Sequence, residues 1–459
     1  VAQGAPDRSK PPALGAPPSL NLPAIQRRAL SNGLAVWLVE SHEVPLVQIN
    51  MLVKAGAGDD PTGKFGLASL TAAMLDEGAG SRNALELADA VDYLGASLAT
   101  TASFDASAVR LNVPVARLRD ALPLMADVAL RPTFPEAELN RLRQERLTAL
   151  LQAKDDPASV APLAFARIVF GATHRYGTGI TGTETTLKGF TVADLKSFHA
   201  ATYQPGNAVL VVVGDVKVDA IVPLLEMQFG AWKGTTAPRQ PVPQAPQVAQ
   251  RQITIVDMPG AAQSQIRIGW VGVPRSTPDY FTIEVLNTIL GGSFTSRLNQ
   301  NLREEHQYSY GASSRFDMRL AAGAFQAGAG VQTDKTAEAL REFFNELNGI
   351  LKPVGAEELT KAKNYVALSF PSEFETSVDL SAKLEEMIIY GLSDRYFAEY
   401  VDNLQRVTAA AVQKVAATYI QPQRFAVVVV GDRKVIEPGI RALNLGPVRV
   451  MSVNEAVGQ

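Results

Sequence analysis

The 459-residue sequence has no cysteine and only four histidines, His42, His174, His199 and His306. The missing thiols exclude disulfide scaffolds, cysteine nucleophiles, iron–sulfur clusters and thiolate zinc sites. No two histidines stand three or four residues apart, so only the tertiary fold could assemble a histidine metal site. Imidazoles that are satisfied or solvent-facing are the expectation. An excess of one charge is lacking too: 43 Lys and Arg face 46 Asp and Glu, a formal net charge of −3. With no basic block to displace phosphate counterions, a dedicated nucleic-acid binder is excluded. Long apolar runs are also missing. The longest, "AVLVVV" (208–213) and "FAVVVV" (425–430), fall far short of the roughly 20 residues of a membrane-spanning helix. Being short, β-branched and followed by Gly-Asp, they read as buried strands.

What is present is an ordinary globular composition, 46% hydrophobic and 19% charged. At about 150 residues per domain the length suggests two to four domains. An internal repeat narrows this. "ATYQPGNAVLVVVGDV" (201–216) returns as "ATYIQPQRFAVVVVGDR" (417–433), and an offset of 217 relates Gly214 to Gly431. The same offset relates Gln48-Ile49 to Gln265-Ile266 and Pro61 to Pro278. A period the size of a domain means a tandem duplication rather than a solenoid. Each half opens with alternating strand patterns, such as "VQINMLVKAG" with apolar Val47, Ile49, Met51 and Val53. Helical patterns follow over 66–76, 84–94, 115–129 and 135–154, and the half closes on its aliphatic strand. Strands and helices in separate runs predict an α+β class, with helices covering a largely antiparallel sheet.

The expected organisation is a Pro-rich flexible arm (1–24), a first domain (25–232), a Pro/Gln-rich linker (233–251) and a second domain (252–459). The linker implies relative motion of the halves. The start "VAQ", without Met, reads as the product of cleavage at a small-residue site, which gives the expectation of a periplasmic, exported chain.

Two segments carry a family resemblance. "GKFGLASLTAAMLDEGAGSRN" (63–83) resembles the pitrilysin/insulinase zinc peptidases, which include the mitochondrial processing peptidases. There a Gly-Leu-Ala lead-in precedes the inverted zinc motif H-x-x-E-H. The resemblance extends over essentially the whole chain. Gly66-Leu67-Ala68 match, but Ser69, Ala72 and Ala73 stand where the family has His, Glu and His. Positions 69, 72 and 73 share one helix face, yet alanine has no donor atom, neutral serine is a poor zinc ligand, and no carboxylate remains to activate water. The third ligand that the resemblance implies, a Glu, would fall near Thr148, Ala149 and Leu150, where Glu145 is the only nearby carboxylate. No metal is expected on this chain. Ser69 is equally poor as a nucleophile, having no base within helical reach and no G-x-S-x-G elbow around it.

The second segment, "LGGSFTSRLNQNLREEHQYSYGASS" (290–314), closely resembles the family's Gly-rich turn, Ser-Arg-Leu helix start and Arg seven residues before a Tyr. Those residues are Gly291 and Gly292, Arg297-Leu298, and Arg303 with Tyr310. The resemblance implies that Arg303 and Tyr310 act in trans on a peptide carbonyl held at the zinc of an opposing domain, with Gly291 and Gly292 in substrate binding. A guanidinium fork and a phenol aimed at developing negative charge suit that task. "LGASLATTASFD" (94–105) resembles the family's peptide-binding edge strand, with Ala99 in place of its Asn. The expectation is a zinc-free subunit of a heteromeric metallopeptidase. Its partner would be a homologous H-x-x-E-H chain that carries the zinc, and its substrates unfolded peptides. A catalytically inert scaffold is the alternative.

Overall fold

The computed structural model describes residues 15, 20, 22–236 and 239–458. Most of the expected arm, and with it the reading of the N-terminus as a processing product, lies outside these residues. Leu20, Leu22 and Ile25 do not dangle; they pack on an apolar cluster formed with the second half.

Twelve strands form two six-stranded sheets. The first contains β1 (Gln26–Ala29), β2 (Ala35–Glu40), β3 (Leu46–Val53), β4 (Ser97–Ala102), β5 (Ser107–Pro114) and β6 (Ala208–Gly214), in the order β1-β2-β6-β3-β5-β4. The second contains β7 (Gln252–Asp257), β8 (Gln263–Val271), β9 (Ser309–Phe316), β10 (Ala324–Gln332), β11 (Ala426–Gly431) and β12 (Val448–Ser452), in the order β9-β10-β8-β11-β7-β12. The register carries the duplication: Ile49 faces Val212 in one sheet and Ile266 faces Val429 in the other. Only the outermost strand breaks the correspondence. β1 reaches β2 through a tight turn closed by the Leu30–Leu34 backbone and runs antiparallel to it, whereas β12 follows a helix and runs parallel to β7. Apart from that pair, β2–β6 and β7–β11 are parallel and the remaining pairs antiparallel. The α+β reading and the two homologous domains stand.

The helices that matter for function are α1 (Leu67–Ala73), α2 (Glu136–Ala153), α3 (Pro157–Phe170), α4 (Tyr280–Asn287) and α5 (Ser377–Tyr390). In each half the main core lies on one sheet face, beneath that half's own helices. The other face is covered by a helix from the opposite half. On β6, Leu210 and Val212 point into their own core, while Val209, Val211 and Val213 meet Leu380, Leu384 and Met387 of α5. On β11, Val427 and Val429 point inward, while Val428 and Val430 meet Val160, Ala164 and Phe165 of α3. This exchange explains why both closing strands are apolar without alternation: they are buried on both faces.

A buried polar cluster sets the position of α5. Asn50 Nδ2 donates to Glu385 Oε1 at 2.7 Å and to Ser381 Oγ at 3.1 Å, and Arg110 Nη2 lies 2.6 Å from Glu385 Oε2. The halves also meet where Asp105, between β4 and β5, accepts from Leu320 N (3.1 Å) and the Tyr390 hydroxyl (3.2 Å). The segment read as a free linker is fastened in its described part. Arg239 makes a two-point bond to Asp59 at 2.9 and 2.7 Å, His174 Nε2 lies 2.7 Å from the Pro243 carbonyl, and Gln247 Nε2 donates to the Val271 carbonyl at 2.7 Å. Those contacts and the exchanged helices oppose the relative motion that linker composition suggests.

Candidate functional site

α1 starts at Gly66, whose φ of 102° places it in the left-handed region that glycine tolerates. Buried Asp60 caps the helix, accepting from Gly66 N (2.7 Å) and Ala68 N (2.8 Å). The scaffold of a metal-bearing helix is therefore intact, but its functional face is not. Ala72 is buried, and Ser69 and Ala73 are half-buried. From α2, one turn before Leu150, Arg146 reaches the carbonyl of Ser69 with Nη2 at 3.0 Å, and burial pulls its guanidinium below the usual arginine range. A fixed cation here repels a divalent metal, so the residues present do not fit zinc. Glu145 lies on the outer face of α2, 67% exposed and 3.4 Å from Arg141. Thr148 Oγ1 donates to the Gln144 carbonyl, and Leu150 packs into the core.

The histidines are scattered and each has its own partner. His42 Nδ1 lies 2.6 Å from Asp215, which raises its pKa; His199 Nε2 lies 2.9 Å from the Ala129 carbonyl, with a pKa lowered by burial. His174 Nδ1 accepts from Tyr176 N, and His306 stacks on Tyr308 at 5.0 Å.

Arg303 and Tyr310 are brought together. Arg303 lies in a π-helical turn, Gln300–Glu305, and Tyr310 in β9; both line one open depression of about 520 Å³. π turns widen a helix by one residue and recur at functional positions. The return from turn to strand passes through Gln307, whose φ of 56° is unusual for a non-glycine residue. β9 then bulges against β10 between Ser309 and Ala312, with Gly311 N donating to Ser309 Oγ at 3.0 Å. A bulge re-aims the side chain it carries, and Tyr310 is 89% exposed. The Arg303 guanidinium lies 4.6 Å above the exposed ring of Phe294, with Nε 3.2 Å from Glu304. Arg297 instead makes a two-point pair with Glu358, 2.7 Å on each arm.

Gly291 and Gly292 end a second π turn, Thr288–Gly292. Gly291 is buried, and a Cβ there would lie 2.2 Å from Ser314 N. The missing side chain lets the turn lie on β9. Gly292 is exposed. Sequence reasoning passed over Phe294, Gln307 and Arg146. Only Arg146 left a trace, by preceding Leu150 by four residues on the same helix face.

A second cavity of about 380 Å³ is lined entirely by the second half, by Arg275, Tyr280, Glu284, Arg315, Glu386 and Tyr390 among others. Arg275 is buried, 2.9 Å from Glu386 and 3.7 Å from the Tyr280 ring centre. Burial pushes the Glu284 carboxyl up to about 7 from an ordinary 4.5, more than the nearby Arg275 lowers it. A carboxyl raised in the folded state favours the protonated fold. Its contribution is fully present below pH about 4.5 and is lost as pH rises through about 7. Glu284→Gln is expected to flatten the fall in melting temperature between pH 5 and pH 8 by up to about 3 kcal/mol equivalent. Parallel melting curves for the two proteins across that window would show that Glu284 is not the titrating group.

Residues 35–174 match the family model described as Insulinase (Peptidase family M16), and residues 189–366 that of the Peptidase M16 inactive domain. This chain belongs to the M16 peptidase family. Two relatives bear the name uncharacterized zinc protease. One, from Mycobacterium tuberculosis, is 24% identical over 413 residues, covering 89% of this chain and 93% of the relative. The other, YmxG of Bacillus subtilis, is 23% identical over 406 residues, covering 86% and 97%. Among solved structures, the peptidase M16 inactive domain from Pseudomonas fluorescens superposes with a TM-score of 0.82 at 27% identity, over 89% of this chain and 98% of that one. A protease from Helicobacter pylori shares the fold, with a TM-score of 0.81 at 22% identity over 89% and 100%. Within the M16 family, this chain combines an intact fold with a first-half motif stripped of its metal donors. No helix among the described residues is long and apolar enough to cross a membrane.

Proposed function

We propose that this chain is the zinc-free subunit of a two-chain M16 peptidase and supplies Arg303 and Tyr310 to a homologous partner that carries H-x-x-E-H and the zinc. One asymmetry supports the reading. Ala72 and Ala73 offer no metal donor and Arg146 is bonded to the carbonyl of Ser69, whereas Arg303 and Tyr310 share one open depression. The substrate is an unfolded peptide. Its scissile carbonyl gains charge as water attacks, and the guanidinium and phenol donate hydrogen bonds to that oxygen. Donors fixed before the reaction need no reorganisation in the transition state.

The test is co-expression with a homologous H-x-x-E-H chain of similar length. The mixture is expected to cleave an unfolded peptide while each chain alone does not. Elemental analysis of this chain alone is expected to give well below one zinc per molecule; one tightly bound zinc per chain would refute the assignment of the metal to the partner. If cleavage by the mixture does not depend on Arg303 or Tyr310, the chain is an inert scaffold instead. β4, with side chains alternately exposed at the sheet edge, would then be its peptide-docking strand.

A further inference from the structure

The depression that Arg303 and Tyr310 share has a lining of its own: Gln263, Gln307 and Gln332, with Tyr308, Ser309, Ala262 and Gly330. Gln263 and Gln332 sit directly opposite each other at the ends of β8 and β10, and Gln307 is the left-handed residue between Arg303 and Tyr310. All three glutamines are exposed, and the one bond among them is long, from Gln332 Nε2 to the Gln307 carbonyl at 3.4 Å. A primary amide offers a donor and an acceptor in one plane, the pattern a peptide bond or an Asn or Gln side chain presents in return. No carboxylate lines the depression and Arg303 is its only ionised side chain, whereas the other second-half cavity is lined by Arg275, Glu284, Arg315, Asp317 and Glu386.

We propose that the three glutamines form a subsite that selects an uncharged, amide-bearing residue of the peptide beside the carbonyl held by Arg303 and Tyr310. An extended peptide entering here exchanges water for amide contacts at little cost. A lysine in the same place lies next to the Arg303 cation and finds no carboxylate in the lining, the one acidic neighbour, Glu304, being already paired with Arg303. The inference rests on the reading of Arg303 and Tyr310 as carbonyl ligands.

The experiment measures anisotropy of two fluorescein-labelled ten-residue Ala/Ser peptides on the full chain, one with a central Gln and one with a central Lys. The Gln peptide is expected to bind about tenfold tighter. In the double variant Gln263→Glu, Gln332→Glu, whose exposed positions spare the fold, the preference is expected to invert. An unchanged ratio in that variant, or no binding of either peptide to the wild-type chain at millimolar concentration, would overturn the subsite. Arg303→Ala separates the two claims: loss of a carbonyl ligand weakens the Gln peptide, and weakens the Lys peptide less because the repelling cation goes with it. If it weakens neither while the Glu variants still invert the preference, the subsite stands and the role of Arg303 falls.

Discussion

Arg303→Ala is expected to lower turnover of the assembled two-chain peptidase by about 10²-fold, and Tyr310→Phe by a similar factor, the usual loss when one donor to a developing oxyanion is removed. The loss should fall on kcat more than on KM, because the carbonyl oxygen carries its full charge only in the transition state. Stability should barely change. Tyr310 is 89% exposed, and the ionic and cation–π partners of Arg303, Glu304 and Phe294, are both exposed themselves. Steady-state kinetics of the reconstituted complex, with melting curves of each variant chain, provide the check. Full turnover with both variants would leave this chain a scaffold.

Cutting the chain in the linker and producing the halves separately is expected to abolish folding of each. A chain ending near residue 250 would leave Val39, Val209, Val211 and Val213 without α5, and would expose Val160, Phe165, Val169 and Phe170 of its own α3. At roughly 1.5–3 kcal/mol per large apolar side chain, eight such residues amount to roughly 12–24 kcal/mol. A domain's whole net stability is only about 5–15 kcal/mol. Asn50 and Arg110 would also lose Glu385. Co-expressed halves should reassemble, because each carries the helix that the other sheet requires. A cooperative melt from either isolated half would show that the exchange is dispensable.

Much of the fold was legible because duplication leaves a numerical trace. Gly214 and Gly431 share an offset with Ile49 and Ile266, and the strand register repeats it. The degenerate motif was equally legible, since Ala72 and Ala73 lack donor atoms in any fold. Arg303 and Tyr310 could be found by their spacing, and their common depression follows from a π turn and a bulge. Neither device has a sequence signature, because each depends on one extra residue being accommodated against a neighbouring element. For the same reason the burial of Gly291 was invisible: its need for glycine arises from Ser314, 23 residues later on β9. Arg146 was overlooked because an arginine on a charged helix ordinarily faces water; only the packing of α2 beside α1 turns it to the Ser69 carbonyl.

Ser69, Ala72 and Ala73 determined, with no structure needed, that the first-half motif lacks the family's metal donors, because donor atoms belong to side chains and not to folds. The two aliphatic runs likewise determined that strands 208–213 and 425–430 are buried. What covers them was decided by tertiary structure alone. Val209, Val211 and Val213 require an apolar cover, but hydrophobic burial is non-directional, and any apolar helix would satisfy them. Chain connectivity and the polar contacts of Glu385 with Asn50 and Arg110 select α5 of the opposite half, and that choice packs each duplicated domain against a helix of the other.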